Sequence, residues 1–468
     1  MAKRINPTTL LALHTGKVIT NLSRTLRLGG GTNLPGTVAR RIAPNVLHEL
    51  TQTLPNGVIL LSGTNGKTTT ARMLAGVLAA DGQQVLHNRA GANLVTGLTA
   101  TMLNGMNAWG QTQADIGLFE TDEAALPQAL AETQPRLVLI HNLFRDQLDR
   151  YGEIDTVAGK WRTALATLPP TATVLLNADD PAVAYLGTGL AAQVAYYGMH
   201  DARHASGSAA HIADSQFCQR CGTRLTYTLA FYAHIGHYAC PQCGLARPQP
   251  QFALQRLDLH GTHGSRLLLT YPGGAMELEL PLPGLYNALN ALAATAAGLL
   301  VGVAPATIRT ALEQFSAAFG RIERVVTPSG APMLIALIKN PVGATETVRM
   351  LTGDAAQPLH VLIAINDRLA DGTDVSWLWD ADFEPLAGLV AGAVVSGTRA
   401  TDMAVRLKYA GLPAAQIHVV EELPAALDAA LAQLPSGAAL SILPTYTAML
   451  ELRAELARRG WVRPFWEA

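Results

Sequence analysis

Residues 58–70 hold the sequence Val58-Ile59-Leu60-Leu61-Ser62-Gly63-Thr64-Asn65-Gly66-Lys67-Thr68-Thr69-Thr70. A run of β-branched residues and leucines leads into a glycine-rich turn, and a helix from Thr70 to Ala80 is predicted to follow. Unpaired N–H groups at a helix start, together with glycines that let the backbone approach closely, suit phosphate binding. Lys67 adds a positive charge, and the Thr68 hydroxyl can ligate Mg²⁺. The segment therefore predicts an ATP-binding loop, which is built from Gly63, Thr64, Asn65, Gly66, Lys67, Thr68 and Thr69.

The bulk composition is that of an ordinary globular protein. With 468 residues the chain should form two or three domains, and it carries 34 basic against 35 acidic side chains. This balance gives no electrostatic reason to expect nucleic-acid binding. The uncharged run from Leu280 to Ile308 contains prolines and asparagines at its start and is mostly alanine thereafter, so a buried helix is expected rather than a membrane span. No signal peptide follows Met1, and a cytoplasmic protein is expected.

The four cysteines form two C-x-x-C pairs that are separated by 18 residues, and a glycine follows each pair. Disulfides are disfavoured in a reducing compartment, and this spacing falls within the range of zinc ribbons. With four thiolates and no open position, a structural Zn²⁺ site is predicted. Its ligands would be Cys218, Cys221, Cys240 and Cys243.

Strands and helices alternate from residue 57 onward, which predicts an α/β fold with mostly parallel sheets. Polar residues follow several strands, at Glu120, Asn142 and Asn177. Ligands of such folds bind at the carboxyl ends of the strands. We divide the chain into an N-terminal helical segment (1–56), a central ATP-binding domain (57–324) with the ribbon inserted at 210–250, and a C-terminal Rossmann-like α/β domain (325–468). The basic N-terminal segment suits a solvated helix packed on the core better than a membrane-surface helix.

Six short motifs resemble those of the Mur ligase and folylpolyglutamate synthase superfamily, and they occur in the superfamily's order. The phosphate loop has its compact G-x-x-G-K-T form. The other five are Glu120-Thr-Asp-Glu123, Asn142-Leu-Phe-Arg-Asp-Gln-Leu-Asp149, Asn177-Ala-Asp-Asp-Pro181, Gly284-Leu-Tyr-Asn-Ala-Leu-Asn290 and Gly320-Arg-Ile-Glu323. There are also departures from the family pattern. Gln147 and Tyr286 replace histidines, and the nucleotide-sugar domain that precedes the loop in other Mur ligases looks missing.

One branch of the superfamily, the MurT-type subunits of lipid II isoglutaminyl synthase, combines these departures with a zinc ribbon, and residues 325–468 resemble its C-terminal domain. The resemblance implies an ATP-dependent carbon–nitrogen ligase, which amidates the α-carboxylate of D-glutamate in the lipid II stem peptide through an acyl phosphate. Lys67 and the loop would hold the phosphates, and Thr68 and Glu120 would hold Mg²⁺. Replacing Lys67 should abolish ATP turnover and leave the fold intact. Arg321, which could otherwise form a surface ion pair with Glu323, would reach the γ-phosphate. The nucleotide would also contact Asn142, Asn287 and Asn290.

Ammonia must come from elsewhere, because no cysteine is left over to act as a glutaminase nucleophile. The resemblance implies a separate class I glutamine amidotransferase subunit of GatD type. It also implies that Asp371 completes the Cys-His pair of that subunit, with Asp374 as the other candidate. Asp371 could instead be a turn residue before Gly372.

Two other functions stay open at this stage. A ligase that joins an amino acid would need a pocket for it in residues 325–468, where we find no familiar arginine-containing signature. A nucleic-acid-binding NTPase would use the arginines in and near the ribbon, although the aromatic residues of the ribbon favour packing. We expect no nucleic-acid partner, and we expect action on lipid II at the inner face of the membrane.

Overall fold

The computed structural model describes residues 5–25, 33–88, 92–144, 154–205, 214–316, 321–353 and 358–463. The chain divides into two compact units. Unit 1 comprises residues 1–257, 266–280 and 287–315, and unit 2 comprises residues 258–265, 281–286 and 316–468. The main part of unit 2 therefore begins nine residues before the expected boundary at 325.

Unit 1 is built on a nine-stranded sheet with the order β11-β10-β9-β6-β5-β4-β1-β3-β2. The pairings from β2 through β3, β1, β4, β5 and β6 to β9 are all parallel. The phosphate-loop strand β1 lies between β3 and β4, and its five residues are all buried. The strands of this sheet are β1 (Val58–Ser62), β2 (Val85–His87), β3 (Ile116–Glu120), β4 (Leu137–Ile140), β5 (Thr173–Asn177), β6 (Gln193–Met199), β9 (Phe252–Leu259), β10 (Ser265–Tyr271) and β11 (Gly274–Leu280).

Helices pack against this sheet, and α4 leaves directly from the phosphate loop. The N-terminal helices join the same core, since Leu13 and Leu47 are fully buried in one cluster with Leu60 of β1. On the face of α1 that points away from this core, Leu11, Val18 and Leu22 are each more than half exposed. The described helices of unit 1 are α1 (Pro7–Thr25), α2 (Leu34–Ile42), α3 (Val46–Thr51), α4 (Lys67–Ala80), α5 (Val95–Gly105), α6 (Leu126–Thr133), α7 (Ile154–Leu165), α8 (Pro181–Tyr185), α9 (Leu285–Leu300) and α10 (Pro305–Glu313).

The uncharged run near residue 290 forms α9, whose alanine-rich stretch is buried as predicted. Among the described residues, no helix has the length and apolar character needed to cross a bilayer. The ribbon is an antiparallel hairpin of β7 (Thr226–Tyr232) and β8 (Ile235–Ala239), flanked by the two cysteine pairs.

Unit 2 contains a six-stranded sheet with the order β12-β13-β17-β14-β15-β16. The edge strand β12 is antiparallel to β13, and the other pairings are parallel. Helices on the sheet contribute two apolar clusters. The elements are β12 (Arg321–Val326), β13 (Pro332–Ala336), α11 (Pro341–Thr352), β14 (Leu359–Ala364), β15 (Val390–Ser396), α12 (Ala400–Tyr409), β16 (Ile417–Val419), α13 (Leu423–Ala432), β17 (Leu440–Pro444) and α14 (Tyr446–Arg458).

The fold class is confirmed, and the strands predicted before Glu120, Asn142 and Asn177 are present, with ends within two residues of those positions. The largest local difference is at the loop, where the helix begins at Lys67 and not at Thr70. Lys67 and Thr68 therefore lie in the first turn of the helix, where backbone N–H groups lack intrahelical acceptors.

Candidate functional site

The phosphate loop lies at the carboxyl end of β1, between the ends of β3 and β4. Gly63 and Gly66 take φ values of +136° and +87°, which residues with a side chain rarely adopt. A Cβ atom at position 63 would lie 2.9 Å from the His141 Cβ, and one at position 66 would collide with the Asn290 amide oxygen. Both glycines are therefore required by the backbone conformation and by their close neighbours.

Lys67 is held inside the site by three acceptors. Its Nζ donates to the carbonyl of Gly63, lies 3.3 Å from the carbonyl of Thr64 and pairs with Glu123 Oε2 at 3.1 Å. The side chains of Lys67 and Glu123 are only 10% and 8% exposed. This ion pair corrects the expectation that Lys67 acts on phosphate charge alone, because its ammonium also neutralises a buried carboxylate.

Glu120 ends β3 directly beside β1, in register with Leu61. The side-chain amide of Asn88 fixes the Glu120 backbone, accepting from its N–H at 2.9 Å and donating to its carbonyl at 2.8 Å. Glu120 is 5% exposed, whereas Thr68 is half-buried in the first turn of α4. A carboxylate and a hydroxyl at neighbouring strand and helix ends suit Mg²⁺, which prefers oxygen ligands.

Asn142 supports the loop directly. Its side-chain oxygen accepts from the Asn65 N–H at 2.8 Å, and its side-chain nitrogen donates to the Asn65 carbonyl at 3.1 Å. The Thr64 hydroxyl is similarly placed on the backbone of Phe144, 3.0 Å from its N–H and 3.2 Å from its carbonyl oxygen. The segment after β4 therefore shapes the loop by side-chain contacts in addition to strand pairing.

Of the remaining predicted nucleotide ligands, Asn287 and Asn290 are described with their side chains, and Arg321 only by its backbone. Asn290 lies against Gly66 of the phosphate loop, and its side-chain nitrogen donates to the Asn287 oxygen at 3.4 Å. Their predicted contact with the nucleotide stays a prediction. Arg321 is the first residue of β12 in unit 2, and its side chain and Gln147 lie outside the described residues. The alternative partner of Arg321, Glu323, forms an ion pair with Arg453.

His141 is a buried neutral base beside the loop. Its Nδ1 lies 2.8 Å from the Tyr197 hydroxyl, while Nε2 is buried without a hydrogen-bond partner in the described part of the chain. Burial and, secondarily, the charge of Lys67 lower the pKa of His141 to about 3. The imidazole therefore stays uncharged at neutral pH and leaves Lys67 as the cationic group of this part of the site.

The N-x-D-D-P motif holds the ribbon on unit 1. Asp179 accepts from Arg247 Nε at 2.6 Å and from the Met199 N–H at 2.7 Å, although burial raises its pKa. Asp180 is fully buried, caps α8 and accepts from His234 Nε2 at 3.0 Å. The motif by itself assigns neither aspartate a role, and no residue near His234 in the sequence indicates that it pairs with Asp180.

The cysteine pairs converge on one point. Their four sulfur atoms lie within 4.8 Å of one another, and two of the pairs of sulfur atoms are 3.5 Å apart. Zinc–sulfur bonds of about 2.3 Å in a tetrahedron place sulfurs about 3.8 Å apart, so the cluster fits Zn²⁺. Each glycine after a pair has a positive φ and donates its N–H to the first cysteine of that pair. The residues concerned are Cys218, Cys221, Gly222, Cys240, Cys243 and Gly244.

In unit 2, Asp371 is buried and makes long-range hydrogen bonds. Its carboxylate accepts from the Thr447 N–H at 2.7 Å and from the Thr447 hydroxyl at 2.5 Å, at the start of α14. Asp374 instead accepts from the Ser376 N–H at 2.8 Å, which is the local turn role that we had considered for Asp371. The two candidate aspartates therefore differ in kind, because Asp371 is fixed by the fold and Asp374 by its own turn.

The comparison with known proteins covers both units. Residues 61–235 match the family model "Mur ligase middle domain", and residues 337–449 match "MurT ligase C-terminal". The MurT subunit of the glutamine-hydrolysing lipid II isoglutaminyl synthase from Streptococcus pneumoniae is 36% identical over 438 residues, 93% of this chain and 95% of that protein. The MurT subunit of Staphylococcus aureus strain N315 is 34% identical over 400 residues, 85% and 87% of the two chains.

Solved structures agree on the fold. A pseudomurein peptide ligase type C from Methanothermus fervidus has a TM-score of 0.65 at 19% identity, covering 86% of this chain and 79% of that one. MurF from Acinetobacter baumannii has a TM-score of 0.65 at 18% identity, with coverage of 91% and 80%. Since the relatives cover nearly the whole chain at more than 30% identity, the protein is an ATP-dependent ligase of the Mur superfamily and belongs to the MurT-type subunits of lipid II isoglutaminyl synthase.

Proposed function

We propose that this protein amidates the α-carboxylate of D-glutamate in the lipid II stem peptide, giving D-isoglutamine. The observation that carries the proposal is the match to MurT subunits along 93% of the chain, which includes the C-terminal unit as well as the ATP-binding unit. The match of residues 337–449 to the family model "MurT ligase C-terminal" favours this branch over ligases that join an amino acid.

The reaction would proceed through an acyl phosphate. A carboxylate oxygen attacks the γ-phosphorus of ATP and ADP leaves; ammonia then attacks the acyl carbon and inorganic phosphate leaves, with loss of a proton from nitrogen. Phosphoryl transfer depends mainly on positioning and charge neutralisation. The buried ammonium of Lys67 and the amides of the loop would hold the phosphates. Thr68 and Glu120 would hold Mg²⁺, which neutralises phosphate charge, and Arg321 would bind the γ-phosphate.

Ammonia would be supplied by a class I glutamine amidotransferase subunit. All four cysteines of the chain meet at the proposed zinc site, so none is free to attack glutamine. Asp371 would orient the histidine of the partner. A carboxylate has about four acceptor positions, and Thr447 occupies two of those of Asp371, so a further hydrogen bond can be accepted.

The site of action would be the inner membrane surface, where the lipid-linked substrate is anchored. The exposed apolar stripe of α1, formed by Leu11, Val18 and Leu22, supports this placement. The first 48 residues also contain seven Lys and Arg and no Asp or Glu. Such a segment is attracted to anionic lipid.

The test compares two nitrogen sources in the complex of both subunits. Asp371→Asn should cut glutamine-dependent amidation by orders of magnitude, as loss of an orienting aspartate does in hydrolytic triads, while amidation with ammonium at raised pH continues. Asp374→Asn is the matched control and should leave both activities within about twofold, since the turn role of Asp374 is only local.

Equal loss of both activities in Asp371→Asn would move this residue to the ligase centre. If the complex forms no amide on lipid II from either source, the proposed reaction is wrong.

A further inference from the structure

The zinc ribbon touches the segment that shapes the phosphate loop. Thr64 of that loop is tied to the backbone of Phe144, as described above. The Phe144 ring packs against the His234 ring, with 4.6 Å between the ring centroids. His234 lies in the turn between β7 and β8, which is the tip of the ribbon hairpin. One aromatic contact therefore separates the ribbon from a residue that is hydrogen-bonded to the loop.

The buried Asp180 forms a second connection between the ribbon hairpin and the segment after β4. One carboxylate oxygen of Asp180 accepts both from the Leu143 N–H at 2.9 Å and from His234 Nε2 at 3.0 Å. Its other oxygen caps α8 by accepting from the N–H groups of Ala182 and Val183. Both Asp180 and His234 have fully buried side chains. In a water-excluded environment, such a charge-assisted hydrogen bond is strong and its loss is costly.

The hairpin tip has an unusual backbone conformation. Ala233, next to His234, takes a φ of +43°, which L-residues rarely adopt. Strand β8 makes separate contacts with the rest of unit 1, because the Gly236 N–H donates to the Asp179 carbonyl at 2.9 Å and His237 Nε2 lies 2.7 Å from the Met199 carbonyl. The His234 contact is therefore one of several that hold the ribbon, and it is the one that lies against Phe144.

We infer that the zinc ribbon acts as a brace for ATP binding, with His234 and Asp180 as positioning residues for the phosphate loop. The two cysteine pairs would hold Zn²⁺ and thereby fix β7 and β8, and the hairpin tip would hold Leu143 and Phe144 through His234. The inference adds a role for the ribbon to the proposed function and requires only that the loop binds ATP. Neither residue contacts nucleotide in this scheme, so they act on ATP affinity and not on the chemical step.

The experiment measures ATP binding directly in the full chain, together with the ATP dependence of amidation in the complex. His234→Ala should weaken ATP binding and raise the KM for ATP by about tenfold, with kcat at saturating ATP within about twofold of the wild type. His234→Gln should restore most of the affinity, because its amide can still donate to Asp180. The zinc content should stay at one per chain in both variants.

His237→Ala is the matched control, since it removes a hydrogen bond from the same hairpin without touching the route to Phe144. It should leave ATP affinity unchanged. Unaltered ATP binding in His234→Ala would overturn the inference, and so would an equal loss in His237→Ala, which would show a general effect of ribbon docking. Because ATP binding is measured without the acceptor substrate, these outcomes stay separate from a failure of the proposed amidation.

Discussion

Replacing Lys67 by methionine should remove ATP turnover and also destabilise unit 1. Methionine keeps most of the volume of the lysine stem, so packing changes little. The ammonium is lost, however, and with it the counter-ion of Glu123, 3.1 Å away. If Lys67 were a phosphate-binding residue on an exposed surface, its replacement would abolish ATP turnover without lowering stability. The stability change therefore tests the geometry of the site independently of catalysis.

The size of the change follows from burial. Removing one member of a buried ion pair costs about 3–5 kcal/mol, because the remaining charge stays buried without a partner. About a tenth of each side chain remains in contact with solvent, at 10% for Lys67 and 8% for Glu123, so the lower end of about 3 kcal/mol applies. A domain of more than 150 residues loses about 2–4 °C of Tm per kcal/mol, which gives a decrease of about 6–12 °C.

A double-mutant cycle in the full chain provides the measurement. Calorimetry of Lys67→Met, Glu123→Gln and the double variant should show that the second substitution recovers most of the lost stability, with a coupling energy of about 2 kcal/mol. ATP turnover should stay absent in both variants that lack Lys67. A Lys67→Met protein as stable as the wild type, with coupling below about 0.5 kcal/mol, would refute the buried pair. Retained turnover would refute the phosphate role.

Three further outcomes are expected. Cys240→Ser should lose the single zinc per chain, measured by elemental analysis, and should expose residues near the ribbon to protease, since metal binding supplies folding energy to so small an insertion. Burial raises the pKa of Glu346 to about 7, so stability from this carboxyl is present below pH 4.5 and is lost as the pH rises through 7. The stability advantage of Glu346→Gln over the wild type should therefore grow between pH 4.5 and pH 7, by up to about 1.4 kcal/mol per pH unit in urea titrations, and level off above pH 7. Leu11→Ser with Val18→Ser should reduce sedimentation with anionic vesicles several-fold, whereas Val326→Ser, a similarly exposed control, should not.

The motifs predicted the centre of the site because each one is local in sequence. A strand, a glycine turn and a helix start within 13 residues are enough to place the loop, and two C-x-x-C pairs are enough to predict their convergence. Helix and strand ends were less certain, because they depend on backbone hydrogen bonds with other elements. The start of α4 is an example. The helix was predicted to begin at Thr70, but the turn already ends at Gly66, which has a left-handed conformation, and the helix begins at Lys67.

The contacts that the sequence did not predict join residues that are far apart in the sequence. Lys67 and Glu123 are 56 residues apart, Asp180 and His234 are 54 apart, and Asp371 and Thr447 are 76 apart. Such pairs depend on strand order, which a single sequence without homologues does not provide. For the same reason a local turn stayed open as an alternative role for Asp371, whose carboxylate contacts Thr447, whereas Asp374 makes such a turn.

These long-range pairs change how mutations in the motifs should be interpreted. Lys67 and Asp371 each combine a proposed functional contact with a structural one, so loss of activity in a single variant does not separate the two roles. For Lys67, the Glu123→Gln variant separates the two roles. It removes the buried negative charge that Lys67 neutralises, and it leaves Lys67 available to bind phosphate. For Asp371 it comes from the nitrogen source, because a destabilised unit 2 would reduce glutamine-dependent and ammonium-dependent amidation together. A selective loss with glutamine can arise only where the two subunits must cooperate.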